Sequence, residues 1–209
     1  KTSMIYGRSV RDWSDRPLVA GDAYAFYLRK LAWPDQLAFD YARTPFEAMS
    51  TPTYYYAWAL PVGIAALLAL SPRRRIWLGC YAIFIIAILP VCGIVPFLYQ
   101  SISTVADRYM YVPLIGFGLM LAAWTATRRN PAIVAAVAGL LLGLAAHRSF
   151  DQTELWRDDW HVFRQGIAVT PGSFMSHLHL GNRLRREKQY ELAIEHYRRM
   201  LEIRDDYFT

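Results

Sequence analysis

Residues 103–113, STVADRYMYVP, interrupt an almost charge-free part of the chain. Asp107 is the sole acid between residues 48 and 150, and Arg108 stands beside it among tyrosines and ahead of Pro113. On either side lie long apolar runs: residues 54–70, 76–106, 109–127 and 130–147 contain no Asp, Glu, Lys or Arg. A helix needs about 20 apolar residues to cross the roughly 30 Å hydrocarbon core of a bilayer. The spacing predicts an all-α chain with four transmembrane helices, the Asp107–Arg108 pair lying between the second and third. Three regions follow: 1–53, an external segment; 54–147, a polytopic helix bundle; and 148–209, a polar region.

The net charge of +6 would suit a nucleic-acid partner if the bases were spread over one face. They are not. Residues 1–53 carry seven bases and six acids, residues 148–209 carry ten of each, and the middle region carries six bases against Asp107. Five of those six are Arg73, Arg74, Arg75, Arg128 and Arg129, in the loops after the first and third apolar runs. Short Arg-rich loops stay cytoplasmic. The basicity is therefore a topology signal that excludes nucleic acid and puts both terminal regions and the Asp107 loop on the external face.

Within residues 1–53, DAYAFYLRKLAWP places Tyr24, Tyr27, Leu28 and Leu31 at helical spacing, with Asp22 as the expected N-cap and Pro34 as the stop. This amphipathic pattern fits a helix on the membrane surface or one packed on the bundle. Pro90, Gly93 and Pro96 predict a kink or break in the second apolar run. Ala135, Gly139 and Gly143 make a small-residue stripe on the fourth helix, suited to close helix packing.

After His147 the chain turns polar. Leu180, Gly181, Leu184, Ala193 and Tyr197 fit one tetratricopeptide repeat over 174–207, a helical hairpin. Pro171 and Asp205 stand one 34-residue period apart. Phe163 and Gly166 fall on the second helix of a preceding degenerate repeat, about 155–173. Such repeats bury their apolar faces on neighbours.

Signatures of nucleotide hydrolysis, hydride transfer, serine hydrolysis and zinc chemistry are missing from the sequence. The histidines look structural: His177 and His179 are two apart on a helix, and His161 and His196 look isolated, so no metal site is expected. ADRYMYVP has two readings. Asp107 can cap the third helix while Arg108 snorkels and Tyr109 and Tyr111 sit in the interfacial belt. Alternatively, Arg108 and the two tyrosine hydroxyls grip a lipid phosphate, with Asp107 orienting the arginine.

An external ADRYMYVP entering a helix, one further helix, the Trp-rich LWRDDWHVFRQGIAVTP and then repeats resemble the transmembrane and tetratricopeptide repeat-containing protein family. YLRKLAWPDQLAFDY is similar to the stretch those proteins carry upstream. The resemblance covers the chain from about Arg8. It implies a membrane glycosyltransferase of the GT-C type moving a sugar, mannose in animal members, from a polyprenyl-phosphate carrier to protein hydroxyls, with membrane lipid and the lipid-linked sugar as its partners. The repeats would hold the protein acceptor, with His177, Asn182 and Arg185 on the first repeat helix as candidate contacts. Such enzymes carry their catalytic acid in a first external loop, which this reading places upstream of Lys1; the chain then reads as the C-terminal part of a bacterial inner-membrane protein with its repeats in the periplasm. No cofactor is implied beyond the lipid-linked donor. The rival reading is a non-catalytic membrane subunit that uses the repeats to hold a partner.

The arginine loops predict that, in intact cells, a cysteine introduced at Ser173 reacts with an impermeant thiol reagent while one at Ser71 or Asn130 does not. The reverse pattern inverts the topology.

Overall fold

The computed structural model describes residues 15–95, 98–126 and 130–208. Among them there are helices and turns and no strand. Arg128, Arg129, Pro96 and the start of the family resemblance at Arg8 lie outside the described residues.

Helix α1, Arg16–Ala32, begins six residues before the expected Asp22 cap, with Pro17 in its first turn, where a missing N–H costs nothing. Asp22 is an interior residue, only 4% exposed, and receives both ends of the Arg43 guanidinium: Nε to Oδ2 at 2.7 Å and Nη2 to Oδ1 at 2.6 Å. A helix lying on a membrane surface would keep one face wet. Instead Val19 to Tyr24 and Phe26 to Leu28 are all buried, so α1 is packed into the bundle.

A short helix, α2 (Pro45–Ser50), and a 3-10 turn, Pro52–Tyr56, lead into α3, Ala59–Ala69. Helix α4, Arg74–Ile88, and α5, Pro113–Thr125, follow. Tyr24 ties α1 to α4 by donating to the Ile85 carbonyl at 2.7 Å, and Tyr81 ties α4 to α3 by donating to the Pro61 carbonyl at 3.0 Å. Gly116 lets α5 approach α4: a Cβ there would lie 2.6 Å from the Cys80 carbonyl oxygen.

Each of the four apolar runs contains a helix, but among the described residues one alone is long and apolar enough to cross a membrane. That helix is α6, Pro131–Leu155, 25 residues or about 37 Å. Helices α3, α4 and α5 have 11, 15 and 13 residues. Of the four spans expected from the sequence, one thus has the length and composition of a membrane span among the described residues; α1, α3, α4 and α5 pack together, and α6 packs on α7. The two glycines of the small-residue stripe on α6 meet no other element among the described residues, since a Cβ on Gly139 or Gly143 would have no atom within 4 Å.

The second apolar run fails as one span because of Pro90, which lacks an N–H for a continuing helix. The helix stops at Ile88 and the chain turns through Gly93, whose φ of 106° is open to glycine but not to residues with a Cβ. Beyond it the described part of the run holds a 3-10 turn, Leu98–Ser101, and an irregular segment that leads to the 3-10 turn Asp107–Met110. Cys92, Ser103, Thr104 and Val105 are fully buried there.

Helix α6 runs past His147 without a break, so the expected boundary at 147/148 is a change of composition within one helix. Helices α7 (Asp159–Val169), α8 (Phe174–Arg186) and α9 (Tyr190–Phe208) complete the chain. The α8–α9 pair forms a helical hairpin around Leu180, Leu184 and Ala193, each 2% exposed, with Gly181 under the Tyr197 ring. Gly166 lets α7 approach Ser176 of α8.

Ala193→Leu forces three more heavy atoms into this closed hairpin contact and is expected to cost about 1–3 kcal/mol, read as faster proteolysis of the α8–α9 region. Unchanged cleavage would place α9 in a different register.

Candidate functional site

The Asp107 turn is held from behind. The Tyr27 hydroxyl accepts from the Ala106 N–H at 2.9 Å and donates to the Ala106 carbonyl at 3.3 Å. Thr104 donates its N–H at 2.8 Å and its hydroxyl at 2.9 Å to the carbonyl of Arg43, the residue whose guanidinium holds Asp22. Loop 35–44 and the segment leading into Asp107 are thus one unit.

Asp107 does not cap α5, whose first turn starts with Pro113 and whose N-cap position is Val112. Its carboxylate instead accepts the Tyr41 hydroxyl, with both oxygens at 2.9 Å. Burial pushes the Asp107 pKa up, opposed by the Tyr41 hydrogen bond and the Lys30 charge. Lys30 Nζ lies 5.2 Å from the Tyr41 ring centroid.

Arg108 is exposed, and its guanidinium lies over two rings, 4.4 Å from the Tyr99 centroid and 5.1 Å from that of Tyr109. Desolvation works against its charge, but the contacts to Tyr99 and Tyr109 prevail and hold its pKa above the ordinary value. Among the described residues the buried Tyr99 hydroxyl makes no hydrogen bond of standard geometry, with Arg108 as its polar neighbour. Burial pushes the Tyr99 pKa up, opposed by the polar contact with the Arg108 guanidinium and then by that residue's charge.

Tyr111, 77% exposed, sits apart from this pair of rings. It lines a cavity of about 200 Å³ with Asp107, Phe39, Gln152, Trp156 and Gln165. The four residues singled out in ADRYMYVP therefore separate into two groups, Arg108 with Tyr109 and Asp107 with Tyr111.

Asp40, 1% exposed, joins this region to the hairpin. Its Oδ1 accepts from the Ala42 N–H at 2.9 Å, an Asx turn that supports Ala42 at φ 45°, and its Oδ2 accepts from the Ser173 hydroxyl at 3.0 Å. Ser173 also caps α8 by accepting from the Ser176 N–H at 3.1 Å. Burial raises the Asp40 pKa, opposed by these two hydrogen bonds and by the charge of Arg108. Phe39 fills the space beside it, 5.6 Å from Phe163 and 6.5 Å from Trp156.

On the hairpin, His177 is buried and His196 is not isolated: their Nδ1 atoms are 3.0 Å apart, and His177 Nε2 faces the Pro171 carbonyl at 3.2 Å. A carbonyl only accepts, so Nε2 carries the His177 proton and His196 donates to Nδ1. Burial lowers both pKa values. Asn182 accepts from the Tyr197 hydroxyl at 2.8 Å. Two of the three candidate acceptor contacts, His177 and Asn182, are thus engaged inside the hairpin, and Arg185 is exposed. Among the described residues no three His, Cys, Asp or Glu side chains gather as metal ligands.

Sequence reasoning missed Tyr41, Asp40 and Tyr99 as parts of the site. The available signal was the polar, Pro-bounded stretch 34–45, which carries Asp35, Asp40 and Arg43.

The chain is 24% identical over 204 residues, 89% of its length, to the protein O-mannosyl-transferase TMTC4 of Mus musculus. It is 24% identical over 203 residues to the human protein of the same name. This is distant homology to TMTC-type proteins, and the chain spans 27% of the length of each. No family profile and no solved structure matches it.

Burial lifts the folded pKa of Asp107 above the ordinary 3.8, so its favourable contribution is full below that value and is lost as pH rises through the raised one. Asp107→Asn keeps an acceptor for Tyr41 and is expected to melt no lower than wild type at pH 7, its advantage vanishing in acid. Tyr41→Phe leaves the carboxylate without its donor and is expected to cost about 1–3 kcal/mol at pH 7. A lower melting temperature for Asp107→Asn at pH 7 contradicts this account.

Proposed function

We propose that the chain is part of a membrane glycosyltransferase that moves a sugar, mannose in the leading version, from a polyprenyl-phosphate carrier to protein hydroxyls. The observation that carries this reading is the similarity to named O-mannosyl-transferases across 89% of the chain. Helices α3 to α6 suit a lipid setting: Leu67, Leu70, Ile86, Ile115 and Leu142 are more than half exposed, a surface that water disfavours. In this reading α6 spans the bilayer, and the shorter helices pack with it in a complete protein. The Arg73–Arg75 turn faces the cytoplasm. The Asp107 turn and the hairpin face the outside, in a bacterium the periplasm.

Arg108 is the group assigned to the carrier's phosphate. It is exposed and its guanidinium lies over two tyrosine rings, which fixes its plane. Asp107 and Tyr41 hold the turn. Helices α7 to α9, read as tetratricopeptide repeats, present the protein acceptor, with Arg185 the candidate contact that is free to reach it. The catalytic carboxylate belongs to a part of the protein outside residues 1–209. Membrane lipid and the lipid-linked donor are the small partners, and no nucleic acid is involved.

The test uses the full-length protein in membranes with labelled polyprenyl-phosphate mannose. Arg108→Lys is expected to lose most transfer at normal abundance, because a point charge cannot replace bidentate phosphate recognition. Full activity in Arg108→Lys removes the phosphate role. Absence of transfer by wild type to every protein acceptor tried favours the non-catalytic scaffold.

A further inference from the structure

The cavity beneath the Asp107 turn has chemistry of its own. It lies where loop 37–39, the end of α6 and the inner face of α7 meet, and holds about 200 Å³, smaller than the roughly 300–1,000 Å³ typical of drug-sized sites. A half-buried carboxylate, Asp107, and two half-buried amides, Gln152 and Gln165, line it. Tyr41 supplies one proton to two carboxylate oxygens, so Asp107 keeps acceptor capacity to spare. Neither amide has a hydrogen-bond partner among the described residues, although each is shielded from much of the solvent. At the cavity's edge stand two aromatic side chains, Trp156, 61% exposed, and Tyr111, 77% exposed. No lysine or arginine lines it.

Carboxylate, carboxamides and an exposed indole with no cation do not suit a phosphate. They suit a neutral ring with hydroxyls at its rim and C–H bonds on its faces. We infer that this cavity is a carbohydrate subsite for one hexosyl ring, with Asp107, Gln152 and Gln165 hydrogen-bonding its hydroxyls and Trp156 and Tyr111 covering an apolar face. The identity of the sugar as mannose rests on the glycosyltransferase reading; the subsite itself rests on the cavity. Arg108, next in sequence to Asp107, holds its guanidinium over the Tyr99 and Tyr109 rings, outside the cavity lining. A sugar phosphate could thus meet different side chains at its two ends.

The test uses the full chain in a detergent without a sugar headgroup and follows methyl α-mannopyranoside by saturation-transfer NMR. Wild type is expected to bind. Gln165→Leu and Gln152→Leu are expected to weaken binding roughly tenfold each, the effect of leaving ring hydroxyls unpaired. Trp156→Ala, at the exposed edge, is expected to weaken binding as well with the melting temperature near that of wild type, and Glu154→Gln, exposed on the same helix and outside the cavity, to leave it unchanged. Absence of saturation transfer with wild type, or equal binding by wild type and the Trp156→Ala and Gln165→Leu variants, overturns the subsite. The hexoside carries no lipid or phosphate, so the two readings fail separately. Hexoside binding that depends on these residues, without any sugar transfer in membranes, sustains the subsite and removes the transferase. Sugar transfer by a protein that binds no hexoside does the reverse.

Discussion

A helix that breaks inside an apolar bundle leaves peptide groups that must find partners other than water. In this chain the break follows Ile88, and the returning segment 103–106 is fully buried or nearly so. Its partners come from far along the chain: the Tyr27 hydroxyl serves the Ala106 N–H and carbonyl, and Thr104 bonds to the Arg43 carbonyl. That solution requires α1 to lie inside the bundle, so that Tyr27 can reach. It also requires Arg43 to be anchored, which the paired and largely buried Asp22 does. Removing one member of such a pair strands the other charge, a loss of about 3–5 kcal/mol.

The same constraint places the chemistry. With 103–106 stitched to α1 and loop 35–44, Asp107 arrives beside Tyr41 and Arg108 beside Tyr99. The loop's buried acid, Asp40, reaches across to Ser173, which caps α8. A run of buried polar contacts therefore connects the turn at the head of α5 to the start of the hairpin. In the glycosyltransferase reading, the donor side and the acceptor side are built on one loop.

Asp107 and Arg108 were legible because charge is rare in their surroundings; their partners were not. Tyr41, Asp40, Gln152 and Gln165 sit in polar stretches where such residues are ordinary, and Tyr41 lies 66 positions from Asp107, Ser173 133 from Asp40. The histidines show the same limit. His177 and His196 read as unrelated, yet the hairpin closes them to 3.0 Å, and His177 is spent on that contact and the Pro171 carbonyl.

Although not where α1 starts or where α6 ends, local features of the sequence determined the helical class, the apolar run that holds each of α3 to α6 and where the second run had to fail. Those depend on apolar runs and periodicity, on Pro90 and Gly93, and on small residues such as Ala193 and Gly181, all of which act on near neighbours or on a hairpin partner a short turn away. Tertiary structure decided that α1 enters the core, that α6 leaves the group, and that ADRYMYVP divides into an arginine on tyrosine rings and a carboxylate over a cavity. These outcomes turn on which distant group satisfies a desolvated charge or peptide, and the pattern along the chain carries no record of that choice.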